Sequence, residues 1–275
     1  GGLTLGLFAL FRPNVLLVAI AVTGWLVWVC MAWHAGWRRA LGTGALFALG
    51  CLAAITPALV RNWVVADEYV LISYYGGVNA YIGNNPDASG YSPEIPDLRE
   101  LTGMTSWNCF TYPALVHRLG RTLSMESMNF SGASRYFLGR AVEFVWKHPI
   151  QALRLTGRKA LYFWAPYEIS DSKVVHYAKA DSPALHWMPG FPWVVALAVM
   201  GLTSLVTTRN TLSEPSRTMA GVLLVFIAAY FASVLPFFIT GRYRIPVIPF
   251  LLIIGAYGVS CIISSGLNSE GPLRL

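Results

Sequence analysis

Charged residues are scarce in this sequence, and their scarcity excludes most soluble folds. Aspartate, glutamate, lysine and arginine make up only 12% of the 275 residues, whereas 55% are hydrophobic. A soluble domain carries about 25% charged residues, which cover its surface. The same composition excludes disordered, coiled-coil and collagen-like chains. The sequence therefore indicates an integral membrane protein.

Cysteine and histidine patterns that hold metals are also absent. The four cysteines include no Cys-x-x-Cys pair, and the five histidines lack the spacing of metal ligands. We therefore assign neither a metal site nor a disulfide framework to them. The net charge of +7 is better explained by orientation in a membrane and contact with anionic lipid than by nucleic acid, which we exclude as a partner.

Long apolar runs are what the sequence does have. A membrane-spanning helix needs about 20 mostly apolar residues. Residues 2–11 predict the last part of a further membrane-spanning helix, which ends at Arg12-Pro13-Asn14. Because Gly1-Gly2 opens in an apolar run without the basic region of a signal peptide, we expect the chain to begin inside a membrane helix. Five runs approach full length and contain no acid: 15–33, 43–60, 187–206, 219–239 and 247–264.

These runs predict an all-α polytopic membrane protein with about five full spans and one partial span. Arginines in the short connections 34–42 and 207–218 place both on the cytoplasmic side by the positive-inside rule. Arg242 and Arg244 then fall on the outer side, where a basic pair is unusual. The expected parts are membrane helices in 1–60, an outer segment at 61–186, three spans in 187–265 and a cytoplasmic tail at 266–275.

The outer segment is far longer than a connector needs to be, so we expect it to fold. Residues 73–97, rich in Gly, Asn, Pro, Asp and Ser, predict an ordered loop of successive turns. Residues 134–148 and 150–164 predict two amphipathic helices. The second helix carries a basic stripe that leads into clustered aromatic residues, which is typical of a helix lying among lipid headgroups. The stripe consists of Arg154, Arg158 and Lys159.

Arginines at the expected membrane surface are candidates for binding phosphate. GRYRIPVIPF at 241–250 contains Arg242, Tyr243 and Arg244. Arginine presents a planar fork of donors that matches phosphate oxygens. These residues therefore suggest a clamp for the phosphate of a lipid-linked substrate, and snorkelling to lipid headgroups is the alternative. Arg61, in PALVRNW at 57–63, is open to the same two interpretations.

Short polar side chains cluster in GGVNAYIGNNPDASG at 76–90. Asparagine offers donors and acceptors that suit sugar hydroxyls, although turn formation alone also explains such a loop. Asp87 is a secondary candidate for a metal or acceptor contact. Glu168, in APYEISD at 165–171, is a secondary candidate for a base or metal ligand, with a solvated loop as the alternative. The candidates for sugar contacts are Asn79, Asn84 and Asn85.

The order of these motifs resembles a known family. It is similar to the C-terminal part of bacterial GT-C superfamily glycosyltransferases, and among them to the protein O-mannosyltransferases and aminoarabinose lipid A transferases. The resemblance covers nearly the whole chain. The motifs, in order, are LFRPN (10–14), PALVRNW (57–63), YYGGVNAYIGNNPDASG (74–90), HP (148–149), RKALYFWAPYE (158–168) and GRYRIPVIPFLLIIGAYG (241–258).

The resemblance implies a multi-pass enzyme of the bacterial plasma (inner) membrane, acting in the cell envelope. It would transfer a sugar from a polyprenyl-phosphate donor to a lipid, protein or glycan acceptor on the outer face. Arg61, Arg242 and Arg244 would hold the donor phosphate, and the loop at 76–90 would cover the sugar. A divalent cation is left open as a cofactor.

One family feature has no counterpart in this sequence. These enzymes carry an acidic pair in their first outer loop, so we expect the catalytic base to lie upstream of Gly1. Two other functions stay open. One is an oligosaccharide polymerase or ligase, which also binds lipid-linked sugars. The other is a transporter or non-catalytic scaffold, although we find neither the midplane acids nor the internal repeat typical of transporters.

Overall fold

The structure is a computed structural model that describes residues 1–33, 36–125, 128–169 and 180–269. These ranges are built from helices and contain no strand. His34, Asp171, His176 and the end of the expected tail, from residue 270, lie outside the described residues. The α-helices with described bounds are α1 (Gly2–Phe11), α2 (Val15–Ala32), α3 (Trp37–Ala66), α4 (Gly76–Gly83), α5 (Leu98–Thr102), α6 (Tyr112–Thr122), α7 (Phe130–Lys147), α8 (Pro149–Trp164), α9 (Pro183–Trp187), α10 (Phe191–Thr208), α11 (Glu214–Val234) and α12 (Ile248–Ser269).

Five helical segments in the described chain are long and apolar enough to cross a membrane. They are α2, α3, α10, α11 and the segment Gly241–Ser265, which contains most of α12. The shorter apolar helix α1 precedes them, so the prediction of five spans and one partial span is confirmed. Pro13 lies between α1 and α2, where its lack of an N–H donor favours a break in the helix.

The structure extends the second predicted span at both ends. Helix α3 begins at Trp37, so Arg38 and Arg39 lie in its first turn and not in a connection. At the other end it runs through Pro57 and Arg61 to Ala66. Helical backbone satisfies its own hydrogen bonds in water as well as in lipid, so the helix continues past the apolar run that marks it in the sequence.

Tertiary contacts divide the chain into two compact units. The first comprises Gly1–Tyr162 and Tyr230–Ile239. In it α1 and α2 pack on α3, and α4 packs on α7. Gly6 lets α1 approach α3 closely, because a side chain there would meet the backbone carbonyl of Cys51.

The second unit comprises Phe163–Ala229 and the described residues from Thr240 onward. Its main contact joins α10 to α12. Gly201 stands at that contact, where a side chain would overlap the backbone of Ile254. Small residues let two spanning helices approach until their backbones touch, which is a common way to pack helices in membranes.

The described part of the segment between α3 and α10 folds, but not entirely as predicted. The expectation of turns alone over 73–97 is wrong, because residues Gly76–Gly83 form helix α4. Val78, Tyr81 and Ile82 are buried in this helix, which packs on α7. Burial of those side chains outweighs the poor helix propensity of glycine and asparagine. Turns follow from residue 84 onward, as the sequence indicates.

Both predicted amphipathic helices are present, as α7 and α8, but the predicted basic stripe is wrong for Lys159. Arg154 and Arg158 are exposed, whereas Lys159 is 0% exposed. Lys159 lies one turn after Leu155 and shares its buried face. The exposed face of α8 therefore carries two arginines beside apolar side chains, and the lysine points into the first unit.

Candidate functional site

Arg244 is the central residue of the candidate site in the second unit. It lies between two short 3-10 turns, Gly241–Tyr243 and Ile245–Val247, immediately before α12. Its side chain is 1% exposed. Nη1 donates a hydrogen bond to the carbonyl of Tyr167 at 3.1 Å, and Cζ lies 4.7 Å from the centroid of the Phe191 ring. The guanidinium is therefore fixed by packing.

Glu168 is the acidic neighbour of Arg244. Its Oε1 lies 3.8 Å from Nη1 of Arg244, which is beyond hydrogen-bonding distance. Gly241 brings the two residues together, since its N–H donates to the carbonyl of Ile169 at 2.8 Å. A side chain on Gly241 would overlap the carboxylate of Glu168. This close approach explains the glycine that opens the GRYRIP sequence.

The burial of Arg244 separates it from the other predicted arginines. A snorkelling arginine keeps its guanidinium at the surface, and Arg244 does not. Arg242 is exposed, with Cζ 5.5 Å from the centroid of the Tyr243 ring, and Arg61 is exposed on α3. For Arg242 and Arg61, both interpretations stay open: a clamp for the donor phosphate and an anchor among lipid headgroups. A buried guanidinium costs desolvation energy, which makes Arg244 the stronger functional candidate.

The asparagines of the first unit use their amide groups inside the protein. Asn84 donates to the carbonyls of Ala80, at 2.8 Å, and Pro236, at 2.6 Å. Asn85 donates to the carbonyl of Tyr81 at 2.8 Å and accepts from the N–H of Asp87 at 2.9 Å. These bonds stabilise the turn after α4. That these asparagines also contact a sugar stays a prediction.

Lys159 is a residue that sequence reasoning placed in an exposed basic stripe and whose buried role it missed. Its Nζ donates to Oδ1 of Asn84 and to the carbonyl of Leu235, both at 3.0 Å. No ion pair involves Lys159 in the part of the chain that the structure describes. Burial lowers its pKa to about 8. The sequence did contain a pattern that indicates this burial. Lys159 lies four residues after Leu155 and four residues before Phe163, so it shares their apolar face of the helix.

Glu68 is a second buried charge that the sequence did not reveal. It is 6% exposed and accepts the backbone N–H groups of Phe130, at 3.0 Å, and Ser131, at 2.7 Å. It also accepts the hydroxyl of Ser131. A carboxylate at a helix N-terminus compensates unsatisfied N–H groups and the helix dipole. Glu68 therefore anchors the start of α7, and no local motif could have indicated so distant a partner.

The sequence-predicted residues are divided between the units. Asp87 and Asn79 lie in the first unit, exposed and half-buried respectively, with Arg61, Asn84 and Asn85. Glu168, Arg242, Tyr243 and Arg244 lie in the second. Among the described residues, no group of three or more His, Cys, Asp or Glu side chains could hold a metal ion. Within that part of the chain, Glu168 and Asp87 belong to no such cluster.

These observations define an all-α membrane protein with several spans. Among the described residues, each unit contains one buried cation, Lys159 in the first and Arg244 in the second. Comparison with protein-family models, curated proteins and solved structures finds no match to this chain. The functional argument therefore starts from the residues themselves.

Proposed function

We propose that this chain is the membrane part of a glycosyltransferase that takes a sugar from a polyprenyl-phosphate donor. The acceptor would lie at the outer face of the bacterial plasma membrane. The observation that carries the proposal is the buried guanidinium of Arg244 at the entry to the last span. The motif order that resembles GT-C glycosyltransferases supports it independently.

The chemistry of the donor matches this position. A polyprenyl phosphate keeps its chain in the bilayer and its phosphate at the surface, where a span begins. The phosphate then needs charge-assisted hydrogen bonds, each contributing about 1.5–3 kcal/mol. Arg244 uses one Nη1 bond to the Tyr167 carbonyl. Its contact with the Phe191 ring holds the fork in place, so binding would require little ordering of the side chain.

Glu168 fits this proposal as the resting counter-ion of Arg244. At 3.8 Å it provides charge compensation without a hydrogen bond. The phosphate of the donor could therefore replace Glu168 as the partner of the guanidinium. The carboxylate, which is about one-third exposed, would then turn toward water. The general base that receives the acceptor's hydroxyl proton is not assigned to any described residue.

Binding of undecaprenyl phosphate in nanodiscs tests the proposal. The wild-type chain should bind it, and should bind undecaprenol, which lacks the phosphate, at least tenfold more weakly. Arg244→Ala should lose tenfold to a hundredfold, at about 1.4 kcal/mol per tenfold. Arg244→Lys should also lose affinity, because lysine keeps the charge but not the fork. Arg209→Ala, an exposed arginine of the same unit, is the matched control and should match wild type.

Two outcomes would contradict the phosphate clamp. One is equal binding of undecaprenol and undecaprenyl phosphate. The other is an Arg244→Lys variant with wild-type affinity, provided that size-exclusion profiles show each variant folded. A transporter would instead move a lipid-linked sugar across proteoliposomes with the sugar–phosphate bond intact. Mass spectrometry of the recovered lipid distinguishes transport from transfer.

A further inference from the structure

Helices α7 and α8 bury one side in the first unit and leave apolar residues exposed on the other. The buried side chains recur at helical spacing, as Phe137 and Phe144 do in α7 and Leu155 in α8. The opposite side is apolar as well. Its exposed residues, here called the apolar stripe, are Leu138, Val142 and Trp146 of α7 and Ile150, Leu153 and Leu161 of α8.

The apolar stripe follows the periodicity of a helix. On α7 its members lie at intervals of four residues and on α8 at intervals of three and eight, so each set shares one helix face. Trp146 is 80% exposed, and the three members on α8 are between 68% and 74% exposed. Exposed apolar surface of this extent marks contact with a partner protein or a membrane.

The charges beside the apolar stripe favour a membrane with anionic lipid. Arg154 and Arg158 are exposed on α8 and lie along the edge of the stripe, and α8 contains no acid. The single acid of α7, Glu143, is paired with Lys147, whose Nζ donates to it at 2.6 Å. The surroundings of the stripe are therefore cationic, which suits lipid phosphates.

The beginning of α7 is fixed at the end of a membrane-spanning helix. Glu68, two residues after α3 ends at Ala66, accepts the backbone N–H groups of Phe130 and Ser131. Helix α3 has 30 residues and is therefore about 45 Å long. A bilayer with its headgroups is about 40–45 Å thick. Helix α3 thus ends among the headgroups, and α7 begins at the same level.

The end of α8 is fixed at the end of another span. Nζ of Lys159 donates to the carbonyl of Leu235, directly after α11 ends at Val234, and both partners belong to the first unit. Two described spans, α10 and α11, separate the ends of α3 and α11 along the chain, so both ends lie on one side of the membrane. Helices α7 and α8 therefore extend along the membrane surface between two attachment points.

We propose that the apolar stripe is inserted into the membrane surface. Its side chains lie among the lipid chains, and Arg154 and Arg158 bind the phosphates of anionic phospholipids. Burial of an apolar helix face and attraction between basic residues and anionic lipid stabilise such an arrangement. Tryptophan is enriched at this depth, which fits Trp146. The inference does not depend on the proposed function, because it concerns the attachment of the first unit to lipid and no sugar donor.

Photo-crosslinking of the full chain in nanodiscs tests the inference. The nanodiscs contain phosphatidylcholine and phosphatidylglycerol in equal amounts, and p-benzoylphenylalanine replaces either Leu153 or Leu161. Mass spectrometry should detect lipid adducts at both positions, with phosphatidylglycerol favoured about fivefold. The double variant Arg154→Gln and Arg158→Gln should lose this preference and keep the adducts. Asp87 is the matched control, because it is exposed and its neighbour Ala88 packs on the buried side of α7 and α8, so no lipid adduct should form there.

Several outcomes would overturn the inference. A cross-linked dimer at Leu153 or Leu161 would show that a second copy of the chain covers the apolar stripe. No adduct at either position would show that the stripe faces water. Equal adduct formation at Asp87 would remove the orientation of the two helices. Equal labelling of the two lipids, or a preference that persists in the double variant, would remove the role of the arginines. Size-exclusion profiles check that each variant is folded.

Discussion

The buried ammonium of Lys159 makes the stability of the first unit depend on pH. Its pKa falls from the ordinary 10.5 to about 8 because burial removes the charged form from water. One pKa unit corresponds to about 1.4 kcal/mol. The charged lysine therefore costs the folded protein on the order of 3 kcal/mol below pH 8.

The sign of the effect follows from proton binding. Between pH 8 and pH 10.5 the unfolded chain keeps its proton on Lys159 while the folded protein releases it. Stability must rise with pH wherever the unfolded state binds more protons. The rise approaches about 1.4 kcal/mol per pH unit in that window. Tyrosines act in the opposite direction near its upper end, since partial burial raises the pKa of Tyr75 to about 12.

Thermal unfolding in detergent from pH 7 to pH 10.5 measures this dependence. Lys159→Met should remove it, so the wild-type and variant curves should differ in slope between pH 8 and pH 10. Absolute stability is less informative, because the variant leaves Oδ1 of Asn84 and the Leu235 carbonyl without their donor, at about 1–3 kcal/mol each. Arg158→Met, at the exposed neighbouring position, is the control. Equal slopes in wild type and Lys159→Met would refute the reasoning.

Two further predictions concern the second unit. Glu168→Gln should tighten binding of undecaprenyl phosphate about threefold, because it removes the acid 3.8 Å from Arg244 that competes with the phosphate; weaker binding would show that Glu168 helps to hold the donor. Gly201→Ala should lower the unfolding free energy by about 1–3 kcal/mol, since the new methyl group overlaps the backbone of Ile254. Gly24→Ala, where nothing lies within 4 Å, is the matched control, and equal stability of the two variants would contradict the close packing of α10 on α12.

The fold was largely predictable because local amino-acid composition identifies membrane-spanning helices. A run of about 20 apolar residues has few alternatives to a spanning helix, so the number of spans needed no tertiary information. Helix α4 was not predictable in this way. Its glycines and asparagine favour turns, and only packing against α7 makes the helical conformation of Val78 and Tyr81 favourable.

The candidate site was predictable in its residue types but not in its partners. Arg244 could be selected because arginine at a membrane surface suits phosphate. That Glu168 and the Tyr167 carbonyl accompany it depends on a contact between residues more than 70 positions apart. Asn84 and Asn85 matched a sugar-binding composition, yet their amide groups stabilise the turn itself. Local patterns describe which chemistry is present, and tertiary contacts decide where it is used.

The two buried cations share one kind of partner, a backbone carbonyl that lies outside the helices. Lys159 donates to the carbonyl of Leu235, the first residue after α11, and Arg244 donates to that of Tyr167, shortly after the end of α8. The carbonyl of Leu235, at the end of α11, lacks an intrahelical donor and lies at the negative end of the helix dipole, so it can accept from a cation at little cost. A carboxylate bonded in the same place would neutralise the cation, whereas a neutral carbonyl fixes its position without cancelling its charge.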